Sequence, residues 1–482
     1  MLYSLLWIIP LGIHYGLAIW AVISVLRTPR EPRAMLAWVL ALLLVPVLSL
    51  VLFFFIGEPR LQRTRRRRRR RRKQLARSLS LTMESIHSAH LAHIPETTEA
   101  GVARLMHVAT RVSTHHPTSG NQVTVFHDPE KTFQAIEEAL RAARSHIHME
   151  YYIFQPDDTG RAIAELLVAK AREGVRCRLL LDFIGCWSLT REITRMLRSA
   201  GVEVAFFMPV IPLRGRWRVN FRNHRKIIVV DGRIGFTGSQ NIGDEYRGRR
   251  TRHGPWRDTH MRILGPAVHE LQEVFVEDWN YATDEDLIAD SYFPPLEPAG
   301  DQVVQVIPSG PDGHANVMHQ LLFAAVATAQ RSVCVITPYF VPDAAMILAF
   351  QSAAYRGVRV QLLIPSRTDQ IVTLWVARSY YQELAQSGVE IHEYPHGMLH
   401  SKVVVVDEDW AMVGSANMDE RSFRLNFELT TILYDDDLAH ELYEDFSKLR
   451  ARSRRIRADR RRSWTFTQSI KLGLARMASP LL

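Results

Sequence analysis

The chain has 482 residues, 47% of them hydrophobic and 23% charged. That excludes a disordered or fibrous protein and predicts two or three globular units. The net charge of +10 is unevenly placed. Residues 1–73 hold 14 basic and 2 acidic groups, residues 74–447 hold 35 and 47, and residues 448–482 hold 11 and 1. An acidic body argues against a folded face that grips nucleic acid, because such a face must be basic. Three cysteines without CxxC spacing exclude a disulfide scaffold and a cysteine zinc site, and they fit a reducing compartment.

Residues 2–26 carry no formal charge, and neither do residues 34–57. Each run exceeds the roughly 20 apolar residues that span a bilayer, so residues 1–60 are predicted to form a transmembrane hairpin. Arg27, Arg30 and Arg33 lie in its loop. Arg60, Arg63, the eight arginines 65–72 and Lys73 follow it. The larger basic cluster predicts that the body faces the cytoplasm. It would also attract anionic headgroups. Residues 61–120 read as this basic run and a polar linker. Glu84, His87, His90 and His93 recur every third residue there. Steps of three drift around a helix, so the four cannot converge on one metal ion.

From residue 122 strand-like and helix-like stretches alternate. Residues 147–154 (IHMEYYIF) and 176–182 (RCRLLLD) read as strands, with a helix over 160–172 between them. That is βαβ grammar, hence an α/β fold with a mixed, largely parallel sheet and flanking helices. The same order returns at 333–341 and 345–355. Gly357-Val358-Arg359 echoes Gly174-Val175-Arg176. The body is therefore predicted to be two tandem halves, 121–295 and 296–448, joined through the proline-rich stretch 294–300. A basic tail, 449–482, completes the chain. Nine basic residues at 448–462, followed by Trp464 and Phe466, suit either an amphipathic segment on a membrane surface or a solvated tail.

One six-position pattern occurs once in each half. The first copy is His224, Lys226, Asp231, Gly238, Ser239 and Asn241. The second is His400, Lys402, Asp407, Gly414, Ser415 and Asn417, at identical spacing. KIIVVD and KVVVVD read as buried strands. Residues i and i+2 share a strand face, so His and Lys project together. The Asp falls on the opposite face or past the strand end, where it would hold local structure. Gly permits close backbone approach, and the segment Gly-Ser-x-Asn is predicted to turn into a second strand. A duplicated His, Lys and amide suits a phosphodiester. Two lysines would stabilise charge on the non-bridging oxygens. One histidine would attack phosphorus and the other protonate the leaving oxygen. The sequence offers no carboxylate cluster of the kind a two-metal site needs.

The duplicated pattern resembles the phospholipase D superfamily, and within it the bacterial cardiolipin synthase family. The resemblance extends through FRNHRKIIVVDGRIGFTGSQNIGDEY, LHSKVVVVDEDWAMVGSANMDERSFRLNFEL, PYFVPD at 338–343, SGPD at 309–312 and the N-terminal hairpin. It departs at Pro46-Val47-Leu48-Ser49, in the long arginine run and in the basic tail. The resemblance implies two phospholipase D-like halves in a multi-pass protein of the bacterial inner membrane. It implies transfer between two phosphatidylglycerol molecules, with anionic lipids as partners, no nucleic acid and no cofactor. His224 would be the nucleophile and His400 the general acid/base. Lys226, Lys402, Asn241 and Asn417 would hold the phosphate, with Ser239, Ser415, Asp231 and Asp407 in support. Glu428, 28 residues after His400, stands where relatives place an acid that orients the imidazole, and Asp258 is the candidate counterpart in the first half. Another lipid enzyme of the superfamily (a hydrolase or a phosphatidylserine synthase), a nuclease and a non-catalytic scaffold are the competing readings. Residues 214–262 hold 13 basic and 4 acidic groups, predicting a local positive patch that either receives headgroups or pairs with nearby acids.

Overall fold

The structure is a computed structural model that describes residues 2–27, 32–53, 100–189, 191–210, 220–249, 254–311, 316–457 and 466–479. The arginine run and the Glu84/His87/His90/His93 series lie outside these residues. Two compact units make up the chain, residues 1–71 with 209–220 and residues 72–208 with 221–482.

In the first unit, helices span Leu2–Arg27, Pro32–Leu44 and Pro46–Leu52. The last two are interrupted at Pro46, which has no N–H to continue the ladder. Ala21, Val25, Leu42 and Phe53 are buried among them. Trp20 and Trp38 stand edge-on to Phe53, with ring centres 6.3 and 5.5 Å away. Ile19, Ile23, Leu36, Leu40, Leu43 and Leu48 are exposed. Among the described residues no helix is long and apolar enough to cross a membrane.

The second unit is built on one sheet. Its first half contributes β1 (Thr118–Phe126), β2 (His146–Tyr151), β3 (Arg176–Asp182), β4 (Glu203–Phe207), β5 (Lys226–Val230), β6 (Ile234–Gly238), β7 (Trp256–Arg257) and β8 (His260–Leu264). The second contributes β9 (Gln302–Ser309), β10 (Ser332–Ile336), β11 (Phe340–Val341), β12 (Arg359–Pro365), β13 (Glu390–Tyr394), β14 (Met398–Leu399), β15 (Val403–Val406), β16 (Trp410–Gly414), β17 (Met418–Asp419), β18 (Glu428–Tyr434) and β19 (Arg454–Ile456). Fifteen of these strands are hydrogen-bonded in the order β19-β13-β12-β10-β15-β16-β18-β9-β1-β8-β6-β5-β2-β3-β4. Leaving out the edge strand β19, the order reads as two matching runs of seven meeting at β9 and β1. The duplication seen in the motifs is therefore a duplication of topology.

The sheet is mixed, as expected, but mostly antiparallel rather than largely parallel. Four of its ladders are parallel, β2–β3, β3–β4, β10–β12 and β12–β13. The other ten are antiparallel. The βαβ crossovers legible in the sequence build the parallel part. The motif strands return through short hairpins, and a hairpin joins neighbours antiparallel. The halves also share one sheet, because β1 pairs with β9.

Alternation sorts the core into layers. Leu179 and Leu181 of β3 pack with Ile163 and Leu167 of helix Asp158–Arg172, whereas Leu180 packs with Phe275 and Trp279 of helix Ala267–Thr283 on the other face. Two segments depart from the sequence reading. Helix Ala100–Val112 lies within the expected linker, and its Val102, Leu105 and Ala109 join the second-half core beside Leu321 and Ala325. The expected tail supplies β19, which pairs antiparallel with β13 and ties Arg454 to Glu393 at 2.6 Å. Polarity hid both, since each buries only one face or one edge.

Candidate active site

The site lies at the C-terminal ends of the parallel strands, where α/β sheets open a crevice. In register, Tyr151 at the end of β2 faces Lys226 at the start of β5. The segments just before β5 and β15 carry the histidines, and each is stitched to the other half. Asn223 bridges Phe427, and His224 N donates to Phe427 O at 2.8 Å. Likewise β14 pairs with β7, and His400 N donates to Arg257 O at 2.8 Å. The residues following Phe427 and Arg257 are Glu428 and Asp258.

That stitching fixes the acid partners. His224 Nδ1 lies 2.8 Å from Glu428 Oε2, and His400 Nδ1 lies 2.6 Å from Asp258 Oδ1. The sequence reading attaches each acid to the histidine of its own half. The structure crosses them, because backbone pairing between halves places each acid under the opposite imidazole. All four side chains are buried. Ser415 Oγ donates to Glu428 Oε2 at 2.5 Å, while Ser422 Oγ and Asn426 Nδ2 donate to its Oε1 at 2.9 and 3.1 Å. Ser239 Oγ donates to Asp258 Oδ1 at 2.7 Å. The motif serines therefore brace the acids. In both halves the segment Gly-Ser-x-Asn leaves a strand, since Gly238 and Gly414 close β6 and β16, and in the second half it turns into another, β17, at Met418.

Carboxylates accepting at Nδ1 place the imidazole proton there and leave the lone pair on Nε2. Burial, followed by Lys226, holds the His224 imidazolium down at about 4 against the pull of Glu428. Burial and Lys402 lower His400 also. Burial pushes the Asp258 carboxyl up, but His400 and Lys402 outweigh it and hold it down at about 2. Both imidazoles are thus neutral at rest.

The lysines are buried beside them. Lys226 Nζ donates to His224 O at 2.6 Å. Lys402 Nζ donates to His400 O at 2.7 Å and lies 2.8 Å from His400 Nε2. Burial, then the neighbouring Lys402, pulls Lys226 well below its ordinary value, and burial brings Lys402 to about 8. Two ammonium groups held together out of water favour an anion between them. Asn241 Oδ1 accepts from Ile153 N at 3.3 Å, whereas Asn417 Oδ1 is buried without a hydrogen-bond partner. Asp231 and Asp407 lie past the ends of β5 and β15 with φ of 53° and 56°. Asp231 accepts from the N–H groups of Arg144, Ser145 and His146, and Asp407 from those of Gln330, Arg331 and Ser332. Each pins the entry to the neighbouring strand.

Aromatic walls are absent from the sequence reading. The Tyr152 ring packs 4.7 Å from His224, with Lys226 over it at 5.4 Å, and Trp256 packs 5.1 Å from His400. Tyr152 follows β2 directly, so the β2–β5 register was the available signal. The basic patch around the first motif is largely neutralised where it is described. Arg222 pairs with Asp182, Arg225 with Asp278, Arg247 with Glu130 and Glu137, and Arg257 with Asp445. Among the described residues no group of three or more His, Cys, Asp or Glu side chains is placed to hold a metal ion.

The family profile described as "Cardiolipin synthase, PLD-like domain" matches residues 136–279 and 322–450, and that described as "Phospholipase_D-nuclease N-terminal" matches residues 16–58. A cardiolipin synthase of Geobacillus kaustophilus is 39% identical over 456 residues, covering 94% of this chain and 90% of the relative. One from Halalkalibacterium halodurans is 36% identical over 458 residues, with the same coverage. Among solved structures, the phosphatidylserine synthase of Haemophilus influenzae superposes with a TM-score of 0.61 at 14% identity, over 79% of this chain and 100% of that one, a likeness of fold. The fold, the paired motifs and these matches agree: the chain belongs to the cardiolipin synthase family of phospholipase D-like phosphatidyltransferases.

Proposed function

We propose that the chain joins two phosphatidylglycerol molecules into cardiolipin and glycerol through a phosphohistidine intermediate. The observation that carries this is the crossed pair of imidazoles, each held by a buried acid from the other half beside a buried lysine. The diester anion enters between Lys226 and Lys402, which stabilise charge on its non-bridging oxygens. It draws Lys402 away from His400 Nε2. Added negative charge raises the proton affinity of His400, which takes up a proton from solvent at Nε2 as the complex forms. His224 Nε2 attacks phosphorus, the bond to the headgroup oxygen breaks, and His400 gives that oxygen its proton, releasing glycerol. A hydroxyl of the second phosphatidylglycerol then yields its proton to His400 and attacks phosphorus. The P–N bond breaks and His224 is restored.

The N-terminal hairpin would hold the body at the cytoplasmic face of the bacterial inner membrane. Its uncharged runs and the outward aliphatic side chains of its helices support this, as do the arginines that follow it. The whole reading is tested with purified protein in detergent, phosphatidylglycerol and excess chelator. Cardiolipin and glycerol in equal amounts are expected. Phosphatidic acid as the sole lipid product would make the chain a hydrolase.

A further inference from the structure

The catalytic chemistry leaves the C-terminal segment unused. Helix Phe466–Ala478 packs along helix Ile371–Gln386. Lys471 Nζ lies 5.7 Å from the Trp375 ring centre, and Arg476 lies 4.3 Å from that of Tyr380. Five residues along one helix match five along the other, so the two run in the same direction. The same step taken backwards brings Phe466 level with Gln370. The inner side is fixed by Ala475, buried in the second-half core, and by Arg476 paired with Glu383 at 3.2 Å. Phe466, Ile470, Leu474 and Met477 recur at helical spacing and face outward, Phe466 with 80% of its surface exposed. A helix docked on a core in water turns such a stripe inward.

The end of the helix at Phe466 lies toward the rim of the site. Residues 366–370 follow β12. Asp369 among them accepts from Tyr339 Oη at 2.7 Å and acts electrostatically on Lys402. Ile371 comes next and is exposed. In the first half the matching residues follow β3. There Cys186 Sγ donates to the carbonyl of Tyr152, whose ring walls His224, and the neighbouring Trp187 is 74% exposed. The loops flanking the site from both halves thus end in outward apolar side chains. From Arg460 to the end of the sequence there are five basic residues and no acidic one. An apolar stripe beside basic groups is the composition of a helix that lies in the headgroup region of an anionic bilayer.

We propose that helix Phe466–Ala478 docks on an anionic lipid surface, with Ile371 and Trp187 as further contacts, and so turns the mouth of the site toward its lipid substrate. Only the identity of that substrate rests on the phosphatidylglycerol reading. The test uses the full chain in nanodiscs carrying Ile470→Cys or Leu474→Cys with an environment-sensitive fluorophore. The native cysteines 177, 186 and 334 are buried. Glu444→Cys, on helix Asp436–Ala451, is the control site. In phosphatidylglycerol nanodiscs containing a headgroup-level quencher lipid, emission at 470 and 474 is expected to fall about twofold or more, with little change at 444. The double variant Ile470→Ser/Leu474→Ser is expected to lose roughly tenfold in turnover on these nanodiscs, and to match the parent on dispersed short-chain phosphatidylglycerol. Equal quenching at all three sites, or none, overturns the proposal. So does a serine variant that changes only the oligomeric state, which would make the stripe a contact for a second copy. Quenching is read without turnover, so a chain inactive on phosphatidylglycerol would refute the function and leave the docking standing.

Discussion

The two lysines and two histidines are buried together, and their protonation is set by that confinement. Lys402 titrates at about 8 because burial disfavours its charge. In the proposed mechanism it must be charged to hold the diester, so kcat/KM on phosphatidylglycerol is expected to fall as pH rises through that value. His224 must be neutral to attack, and with burial and Lys226 holding it at about 4, the acid limb falls only below that value. Arginine stays charged throughout. Lys402→Arg therefore moves the alkaline limb upward while lowering turnover, and a pH–rate profile on phosphatidylglycerol checks this. An alkaline limb that stays in place in the variant would assign it to another group. At this scale the sequence made the motif residues legible, because their chemistry and spacing repeat. It did not disclose that Ser239 and Ser415 serve the acids, since a hydroxyl suits a carboxylate as well as a phosphate.

Strand pairing carries this chemistry from the residues into the fold. Gly414 closes β16 directly beside β18, and a Cβ there would meet Leu429 O at 2.3 Å and the Thr430 Cα at 2.7 Å. Those neighbours are backbone, so they cannot rotate aside. Gly414→Ala should push β18 away and with it Glu428, the partner of His224. A displacement of that kind costs about 10²-fold in turnover, measured on phosphatidylglycerol against an unchanged far-ultraviolet circular dichroism spectrum. Turnover within about twofold of the parent would mean that the acid needs no such precision. The βαβ units were legible because crossover helices have a strong period. The antiparallel majority was not, because short hairpin strands such as β6 and β16 leave little pattern in five residues each.

Across the molecule, neither half holds a complete His–acid pair by itself. His224 depends on Glu428 and His400 on Asp258, so the active unit is the continuous sheet, joined where β1 meets β9. The pairing of β1 with β9 is expected to hold the halves together without an intact link at 294–300. A protease site inserted at the exposed Glu297-Pro298 position should give two fragments that co-purify and retain most of the activity after cleavage. Fragments that separate, or lose activity on cutting, would show that the link itself holds the halves in register. The sequence announced the duplication but not the crossing, because contact between halves has no local signature in either repeat. The proposed mechanism turns on the bond that forms first, between His224 Nε2 and phosphorus. The most direct measurement is an alkaline quench of the enzyme during turnover of phosphatidylglycerol, followed by mass spectrometry of its peptides. A phosphatidyl adduct on the peptide containing His224 is the result expected. An adduct on His400 would reverse the roles assigned to the two histidines, and direct transfer with no adduct on either would contradict the two-step mechanism.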